Sequence, residues 1–298
     1  GGLTVGFQML AVDWRNTIML FVGFLLLYLG IKKDCEPLLL VPIGFGCILA
    51  NIPLSDVMSQ EGFIRTIYDA GITTELFPLL IFVGIGAMTD FGPVLAQPST
   101  FLLGAAGQFG IFLTLLLALA LGFPQLDAVA IGIIGACDGP TAIYVTSKYA
   151  PHLLGAVSVA AYSYMSLVPI IQPPIMRLLT TKKERETVMK PVAKPVSKTT
   201  KMMFPLVITV LGGLIAPKGL PLLGTIMLGN LMRESGVVSR LTKASENEIA
   251  NVVTLFLGLC IGATMVGSAF IKTQTLIILA LGLVAICLDT VCGVLMGK

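Results

Sequence analysis

Apolar segments recur along the whole sequence, and this recurrence constrains the fold more than any other feature. Hydrophobic residues make up 56% of the 298 residues and charged residues only 12%, with a mean hydropathy of +0.95. A soluble domain carries about 25% charged residues, so the sequence predicts an all-α polytopic membrane protein. We expect spans near 17–31, 36–54, 76–89, 100–123, 126–149, 155–176, 203–217, 220–232, 250–266 and 274–296.

Several of these segments are too short or too interrupted for a simple spanning helix, which needs about 20 apolar residues. Glycine and proline break many of them. Broken helices are tolerated at membrane depth only where they are buried in protein or line a wet cavity. The pattern therefore indicates a transporter-like interior with broken helices. The more polar segments 55–74 and 233–249 are expected to be connecting or interfacial helices.

One strongly basic segment, Arg177–Lys201, separates two apolar parts of the chain and is called the basic loop here. It contains eight of the 19 basic residues and only two acidic residues. By the positive-inside rule, this loop is predicted to be cytoplasmic. The expected organisation is a first repeat at 1–176 with a half-helix segment, the basic cytoplasmic loop at 177–201, and a second repeat at 202–298.

The two parts of the chain resemble each other weakly. Pro37 begins an apolar run that reaches Asn51, and Pro221 begins one that reaches Asn230. The glycine-rich "GIGAMTDF" from Gly84 has its counterpart in "CIGATMVG" from Cys260. Such symmetry is typical of inverted-repeat transporters, although a chance match between two glycine-rich segments is the alternative. A true repeat would place a counterpart of Asp138 beyond Lys298, so the second repeat is expected to lack its final segment.

The stretch "IIGACDGPTAIYVTSK" contains an aspartate, Asp138, within apolar sequence and directly before Gly139 and Pro140. A charged side chain at the bilayer centre costs at least about 2.5 kcal/mol, so something must offset that cost. Proline and glycine predict the end of one half-helix and the start of another. The break frees backbone carbonyls. These carbonyls, the hydroxyl of Thr141 and the carboxylate of Asp138 would together supply the oxygen ligands of a sodium site.

Two alternatives to a sodium site at Asp138 are open from the residues alone. Protonation would also neutralise the carboxylate. The side chain would otherwise serve only as the cap of the half-helix that begins at Pro140, where carboxylates are favoured. We favour the ion site, because a serine would cap the helix without the risk of burying a charge.

A second polar cluster lies in "AAYSYMSLVPIIQPPIMR", where Tyr162 and Ser166 are four residues apart and share a helix face. Their hydroxyls, with that of Tyr164, are predicted to lie beside the Asp138 site. The alternative is an aromatic belt at the membrane interface. Asp289 in "ICLDTVCG" lies deep in an apolar run and is a further candidate.

Other kinds of site find little support. The chain has one histidine and six cysteines without a CxxC pair, which argues against a metal centre or a disulfide framework. Neither GxGxxG nor GxxxxGK[ST] occurs, so nucleotide chemistry is not indicated, and no nucleic-acid partner is expected.

Four stretches closely resemble the β subunits of sodium-translocating, biotin-dependent decarboxylases, which serve oxaloacetate, glutaconyl-CoA and methylmalonyl-CoA decarboxylase complexes. They are "GACDGPTAIYVTSKYAP", "AAYSYMSLVPIIQPPIMRLLTTKKER", "EPLLLVPIGFGCILANIP" and "GIGAMTDFGPVLAQP". The resemblance implies a subunit that decarboxylates carboxybiotin, consumes a proton and exports sodium. It also implies that Asp138 takes part in sodium and proton binding and that Tyr164 is functional.

The same resemblance implies an elevator-type, inverted-repeat transporter that forms a β trimer in the inner membrane of a bacterium. The implied partners are a carboxyltransferase (α) subunit, a biotin carrier domain or subunit, a small γ or δ membrane subunit and membrane lipid. The implied cofactors are the sodium ion and biotin, the latter attached to a partner. Members of the family continue into a segment of the type NPLIGxAGVSAVPMAAR, which this sequence lacks, and a chain that ended at Lys298 is expected to be defective in transport.

A different class of function fits the half-helices and repeats equally well, namely a secondary symporter that uses the sodium gradient to move a carboxylate. A biotinylated partner would distinguish the two, because only the decarboxylase requires one. A membrane anchor without chemistry would leave Asp138 unexplained. The motif resemblance favours the decarboxylase.

Overall fold

The computed structural model describes residues 4–34, 36–188 and 195–298, and within these ranges it contains helices and no strand. The helices before the basic loop are α1 (Val5–Val12), α2 (Trp14–Lys32), α3 (Pro37–Asn51), α4 (Phe63–Tyr68), α5 (Leu76–Met88), α6 (Gly92–Ala96), α7 (Phe101–Gly107), α8 (Phe109–Ala120), α9 (Gln125–Gly132), α10 (Gly139–Tyr149) and α11 (Leu154–Leu179). Those that follow are α12 (Lys182–Arg185), α13 (Lys198–Ile215), α14 (Leu220–Ser235), α15 (Ser239–Ala244), α16 (Ala250–Thr264), α17 (Gly267–Phe270) and α18 (Thr273–Gly297).

Five helical stretches in the described ranges are long and apolar enough to cross a membrane. The number rises to seven if each of two bent helix pairs counts as one span. One pair joins Phe63–Thr73 to Leu76–Met88 with a bend of 60°, and the other bends α11 by 62° between Met165 and Ile170. The prediction of an all-helical, multi-pass membrane protein is therefore confirmed, and two of its apolar helix pairs are sharply bent.

Helices α3 and α16 pack closely because glycines face each other across the contact. A Cβ atom added at Gly46 of α3 would overlap the backbone of α16 at Leu259, and one added at Gly262 of α16 would overlap the backbone of α3 at Ile43. Small residues allow such close approach between membrane helices, where packing replaces the hydrophobic effect as the driving force.

The same arrangement recurs between α5 and α14. A Cβ atom at Gly86 of α5 would overlap the backbone of Ile226, and one at Gly229 of α14 would overlap the backbone of Val83. Each of these pairs joins a helix that precedes the basic loop to one that follows it.

Two buried asparagines bind the chain breaks that follow α16 and α5. Asn51, at the end of α3, donates from Nδ2 to the carbonyl of Met265 at 2.8 Å and accepts from the amide of Gly267 at 3.0 Å. Asn230, in α14, donates to the carbonyl of Thr89 at 2.9 Å. Both side chains are 1% exposed. These bonds satisfy backbone groups that a helix end would otherwise leave unpaired.

The polar segments 55–74 and 233–249, which the sequence predicts to be connecting or interfacial helices, are partly helical. Both contain a helical turn of the wide π type, at Asp69–Thr73 and Ser245–Ile249, and Ser239–Thr264 is one helical stretch. Ile64 and Ile72 are fully buried in the core. The first segment therefore packs part of its surface against the core and is separated from α5 by the bend, whereas the second continues into α16.

Buried side chains form two clusters. One lies among α2, α3, α5 and α16, around Ile43 and Leu257, and the other lies among α9, α10, α11 and α18, around Ile131 and Ile278. The second cluster surrounds the Asp-Gly-Pro break, and Tyr162 of α11 belongs to the first. The break therefore lies inside the protein, where the two clusters meet.

Candidate functional site

The Asp-Gly-Pro sequence breaks the helix as predicted. After α9 the chain narrows to a 3-10 turn at Ile133–Ala136, Cys137 adopts a left-handed conformation with a φ of 52°, and α10 begins at Gly139. Pro140 lies in the first turn of α10, where its missing N–H costs no hydrogen bond. The result is two short helical segments that point toward Asp138 from opposite sides.

Asp138 occupies the capping position of α10 and is half-buried. Its Oδ1 accepts from the backbone amide of Thr141 at 3.4 Å, and its Oδ2 accepts from the Thr141 hydroxyl. The capping contact considered above is therefore present. It does not exclude an ion site, because each carboxylate oxygen accepts more than one partner and the helix N-terminus adds positive potential on one side only.

Tyr162 is the tyrosine that lies against the break. Its ring is 1% exposed, and a Cβ atom added at Gly139 would overlap it. Gly139 is therefore required for the ring to approach the start of α10. Cys137 lies within electrostatic reach of both Asp138 and Asp289.

Tyr164 lies on another side of α11. Its half-buried ring packs against Gly282 of α18, and its hydroxyl donates to the backbone carbonyl of Leu279. The structure thus brings Tyr162, but not the hydroxyl of Tyr164, to the break. Ser166 lies within α11, but its side chain is outside what the structure describes.

Asp289 is buried in α18, with 8% of its surface exposed. Its Oδ1 accepts from the amide of Gly110 at 2.5 Å, in the first turn of α8. The sequence indicated Asp289 but not Gly110, because the donor is a backbone amide and almost every residue has one. The carboxylate lines a cavity of about 290 Å³ together with Cys137 and Gln172.

Asp90, which follows α5, is bound differently. It accepts from the amide of Gly92 at 2.9 Å and lies 3.4 Å from the ammonium of Lys201. The hydrogen bond from the Gly92 amide is the main reason that the pKa of this carboxyl lies below its usual range, and the charge of Lys201 lowers it further. Asp90 is therefore a surface cap with a basic partner, unlike Asp138 and Asp289.

The donor set around Asp138 suits a small hard cation better than a transition metal. Nowhere in the described part of the chain do three histidine, cysteine or acidic side chains form a group that could hold a metal ion. The carboxylate of Asp138 and the hydroxyl of Thr141 are hard oxygen donors of low total charge. Such a set suits a monovalent ion, which would be a transported ion and not a resident cofactor.

Comparison with known proteins gives a consistent result. Residues 15–298 match the family described as Na⁺-transporting oxaloacetate decarboxylase beta subunit. The chain is 53% identical over 289 residues to the methylmalonyl-CoA decarboxylase subunit beta of Veillonella parvula, covering 97% of this chain and 76% of that relative.

Two further relatives are also named as β subunits of decarboxylases. The chain is 52% identical over 288 residues to the glutaconyl-CoA decarboxylase subunit beta of Acidaminococcus fermentans, covering 97% of this chain and 76% of the relative. It is 45% identical over 359 aligned positions to the oxaloacetate decarboxylase beta chain of Klebsiella pneumoniae, covering 99% and 82%. The resemblance found in the sequence motifs is thereby confirmed, and the chain belongs to the family of Na⁺-transporting decarboxylase β subunits.

Proposed function

We propose that this protein decarboxylates carboxybiotin carried by a partner subunit and uses the reaction to export sodium ions across the membrane. Family membership and a multi-pass helical structure support the proposal. The relatives are named for different substrates, but each is named as the β subunit or β chain of a decarboxylase. The proposal therefore concerns the step that these subunits have in common. A secondary symporter is not favoured, because these relatives are subunits of decarboxylases.

The chemistry requires one proton for each carboxyl group removed. The carbon–nitrogen bond of carboxybiotin breaks, the electron pair stays on the ring nitrogen, and that nitrogen takes the proton as CO₂ leaves. The chain contributes side chains that bind the ion and deliver the proton. In this proposal Asp138 and Thr141 hold sodium, Gly139 and Pro140 maintain the break, and the hydroxyls of Tyr162 and Ser166 deliver the proton. The Tyr164 hydroxyl, which donates to the carbonyl of Leu279, would join them only after that bond opens.

The observation that carries the proposal is the position of Asp138. A half-buried carboxylate lies between two helical segments inside a membrane protein, without a basic partner among the described ion pairs. Ionisable groups at such positions mark ion or proton pathways, and broken helices supply the carbonyls that coordinate sodium in transporters.

Substituting Asp138 tests the proposal in the assembled decarboxylase complex in liposomes. Asp138→Asn keeps the size of the side chain and removes its charge, and we expect it to abolish sodium-stimulated decarboxylation and uptake of radioactive sodium. Asp90→Asn is the matched control, since Asp90 is paired with Lys201 at a different helix end, and it should keep most of both activities. Near-normal sodium-stimulated activity of Asp138→Asn would refute the assignment.

We further propose an inverted-repeat, elevator-type architecture with repeats at 1–176 and 202–298 joined by the basic loop, whose cytoplasmic position is likewise a proposal. The matched glycine contacts of α3 with α16 and of α5 with α14 support the repeat, as do the π turns at Asp69–Thr73 and Ser245–Ile249. Residues 189–194 of the loop lie outside the described ranges.

The proposed setting is a trimer of this chain in a bacterial inner membrane, with a carboxyltransferase (α) subunit, a biotin carrier and a small γ or δ membrane subunit. Apolar side chains exposed along α8 and α13 suit contact with lipid or with neighbouring subunits. Biotin would be attached to the carrier, and sodium would be the transported ion.

A further inference from the structure

We propose that Asp289 is a proton-binding residue of this protein, loaded through the cavity between α11, α18 and the turn before Cys137. The inference rests on the proposed function, because decarboxylation is the reaction that would consume the proton. It differs from the sodium site at Asp138, since it concerns another carboxylate on another helix.

The first step is the unequal environment of the two carboxylate oxygens. Oδ1 accepts from the amide of Gly110 at 2.5 Å, at the start of α8. Oδ2 is buried and has no hydrogen-bond partner among the described residues. Leaving a buried polar atom unpaired costs about 1–3 kcal/mol, and more for a charged group. A proton on Oδ2 removes the charge while Oδ1 keeps its bond to Gly110.

The second step is that a cavity lies beside this carboxylate. The carboxylate lines a cavity of about 290 Å³ with Gly135, Cys137 and Gln172. A methyl group added at Gly135 would stand 2.7 Å from Oδ2, so this oxygen faces the turn at Ile133–Ala136. The cavity has room for water, and water would accept the proton when Asp289 releases it, with the Gln172 amide as a hydrogen-bond partner of that water.

The third step is that the lining of the cavity is better suited to binding a proton than to binding a metal cation. A sodium ion needs a shell of several oxygen atoms, whereas a proton needs one. Besides Asp289, the polar lining side chains are Cys137, Gln172 and Thr290, and the Thr290 hydroxyl already donates to the carbonyl of Ile286 at 2.8 Å. The rest of the lining is glycine, alanine, methionine and valine.

The ionisable groups near Asp289 do not supply a fixed counter-charge. Helices α7 and α8 and the turn at Ile133–Ala136 carry no ionisable side chain. From α11, Tyr164 reaches Leu279 and Arg177 is exposed, while Asp127 of α9 is bonded to His152. Cys137 lines the same cavity as Asp289, and Cys287 and Cys292 are on α18 itself. None of the ion pairs in the described ranges includes Asp289.

Infrared spectroscopy of the resting decarboxylase complex in liposomes tests this directly, because a neutral carboxyl group has its own carbonyl stretch. We expect a carboxyl band that disappears as the pH is raised, is unaffected by sodium, and is missing from Asp289→Asn. The asparagine still accepts from Gly110, and the amide band of the same sample reports folding. Asp127→Asn is the control, because Asp127 is also a buried carboxylate but is bonded to His152 and lies outside the cavity.

Turnover gives a second measurement. Asp289→Asn should lower the decarboxylation rate by about 10²-fold or more, as the loss of a general acid or base does, and leave the sodium concentration for half-maximal rate unchanged. Gly135→Ala, which would crowd Oδ2, should shift the infrared band and keeps the inference testable if the asparagine variant fails to fold. Persistence of the band in Asp289→Asn, or its removal by sodium at constant pH, would overturn the inference. Because the band is recorded without substrate, this result is independent of whether Asp138 binds sodium.

Discussion

Replacing Asn51 by alanine removes the side chain that binds the chain break after α16, and the structure sets the size of the effect. The variant leaves the amide of Gly267 without a partner and the carbonyl of Met265 with only the weak thiol donor of Cys47, whose sulfur lies 3.8 Å away, so both groups lose most of their hydrogen bonding. Asn51 is 1% exposed, so water does not replace it. At about 1–3 kcal/mol for each unsatisfied buried group, we expect a loss of about 2–6 kcal/mol in the free energy of unfolding.

Asn230→Ala is the matched comparison, because Asn230 binds the break after α5 in a similar way. It leaves only the carbonyl of Thr89 without a partner, which predicts a loss of about 1–3 kcal/mol. Equilibrium unfolding in mixtures of mild and denaturing detergent would measure both variants against the native chain. An Asn51→Ala variant within about 0.5 kcal/mol of the native chain, the range of neutral surface substitutions, would refute the reasoning. A larger loss for Asn230→Ala than for Asn51→Ala would also refute it.

Three further predictions concern the break and the topology. Tyr164→Phe is expected to lower decarboxylation by about 10²-fold or more at saturating sodium if the hydroxyl relays a proton, with Tyr162→Phe milder; native-like kinetics of Tyr164→Phe would remove it from the site. Gly139→Ala should force the buried Tyr162 ring aside and destabilise the protein by about 1–3 kcal/mol. Gly104→Ala is the control and should be neutral, because a Cβ atom there meets nothing within 4 Å. Equal unfolding curves for the two variants would contradict this prediction. Ser197→Cys, in a background without native cysteines, should be labelled by an impermeant thiol reagent only when the cytoplasmic side is accessible, and labelling of intact cells would overturn the proposed topology.

The positions of the helices follow from the sequence because apolar runs and proline or glycine interruptions determine where a membrane helix begins and ends. The run at 274–296 corresponds to α18 at Thr273–Gly297, and the Asp-Gly-Pro sequence produces the break before α10. Burial within the polar segment 55–74 was not predicted. Arg65 and Asp69 pair with each other at 2.9 Å on the exposed side, which leaves Ile64 and Ile72 to face the core.

Contacts between distant helices could not be predicted in the same way. Tyr162 and Tyr164 are two positions apart, so their side chains point about 200° apart around the helix. Only the rotation of α11 in the packed structure decides which of them meets Gly139. The bond between Asp289 and Gly110 joins positions 179 residues apart, and its donor is a backbone amide that every residue except proline possesses.

Chemical protection of the Asp138 carboxyl group tests whether this residue binds the transported sodium ion. A membrane-permeant carbodiimide modifies a protonated carboxyl group in a low-dielectric site, and mass spectrometry of peptides identifies the modified residue. We expect Asp138 in the assembled complex to be modified when sodium is absent and protected as sodium is added, with no protection by choline at equal ionic strength. Modification of Asp138 at the same rate with and without sodium would contradict the account.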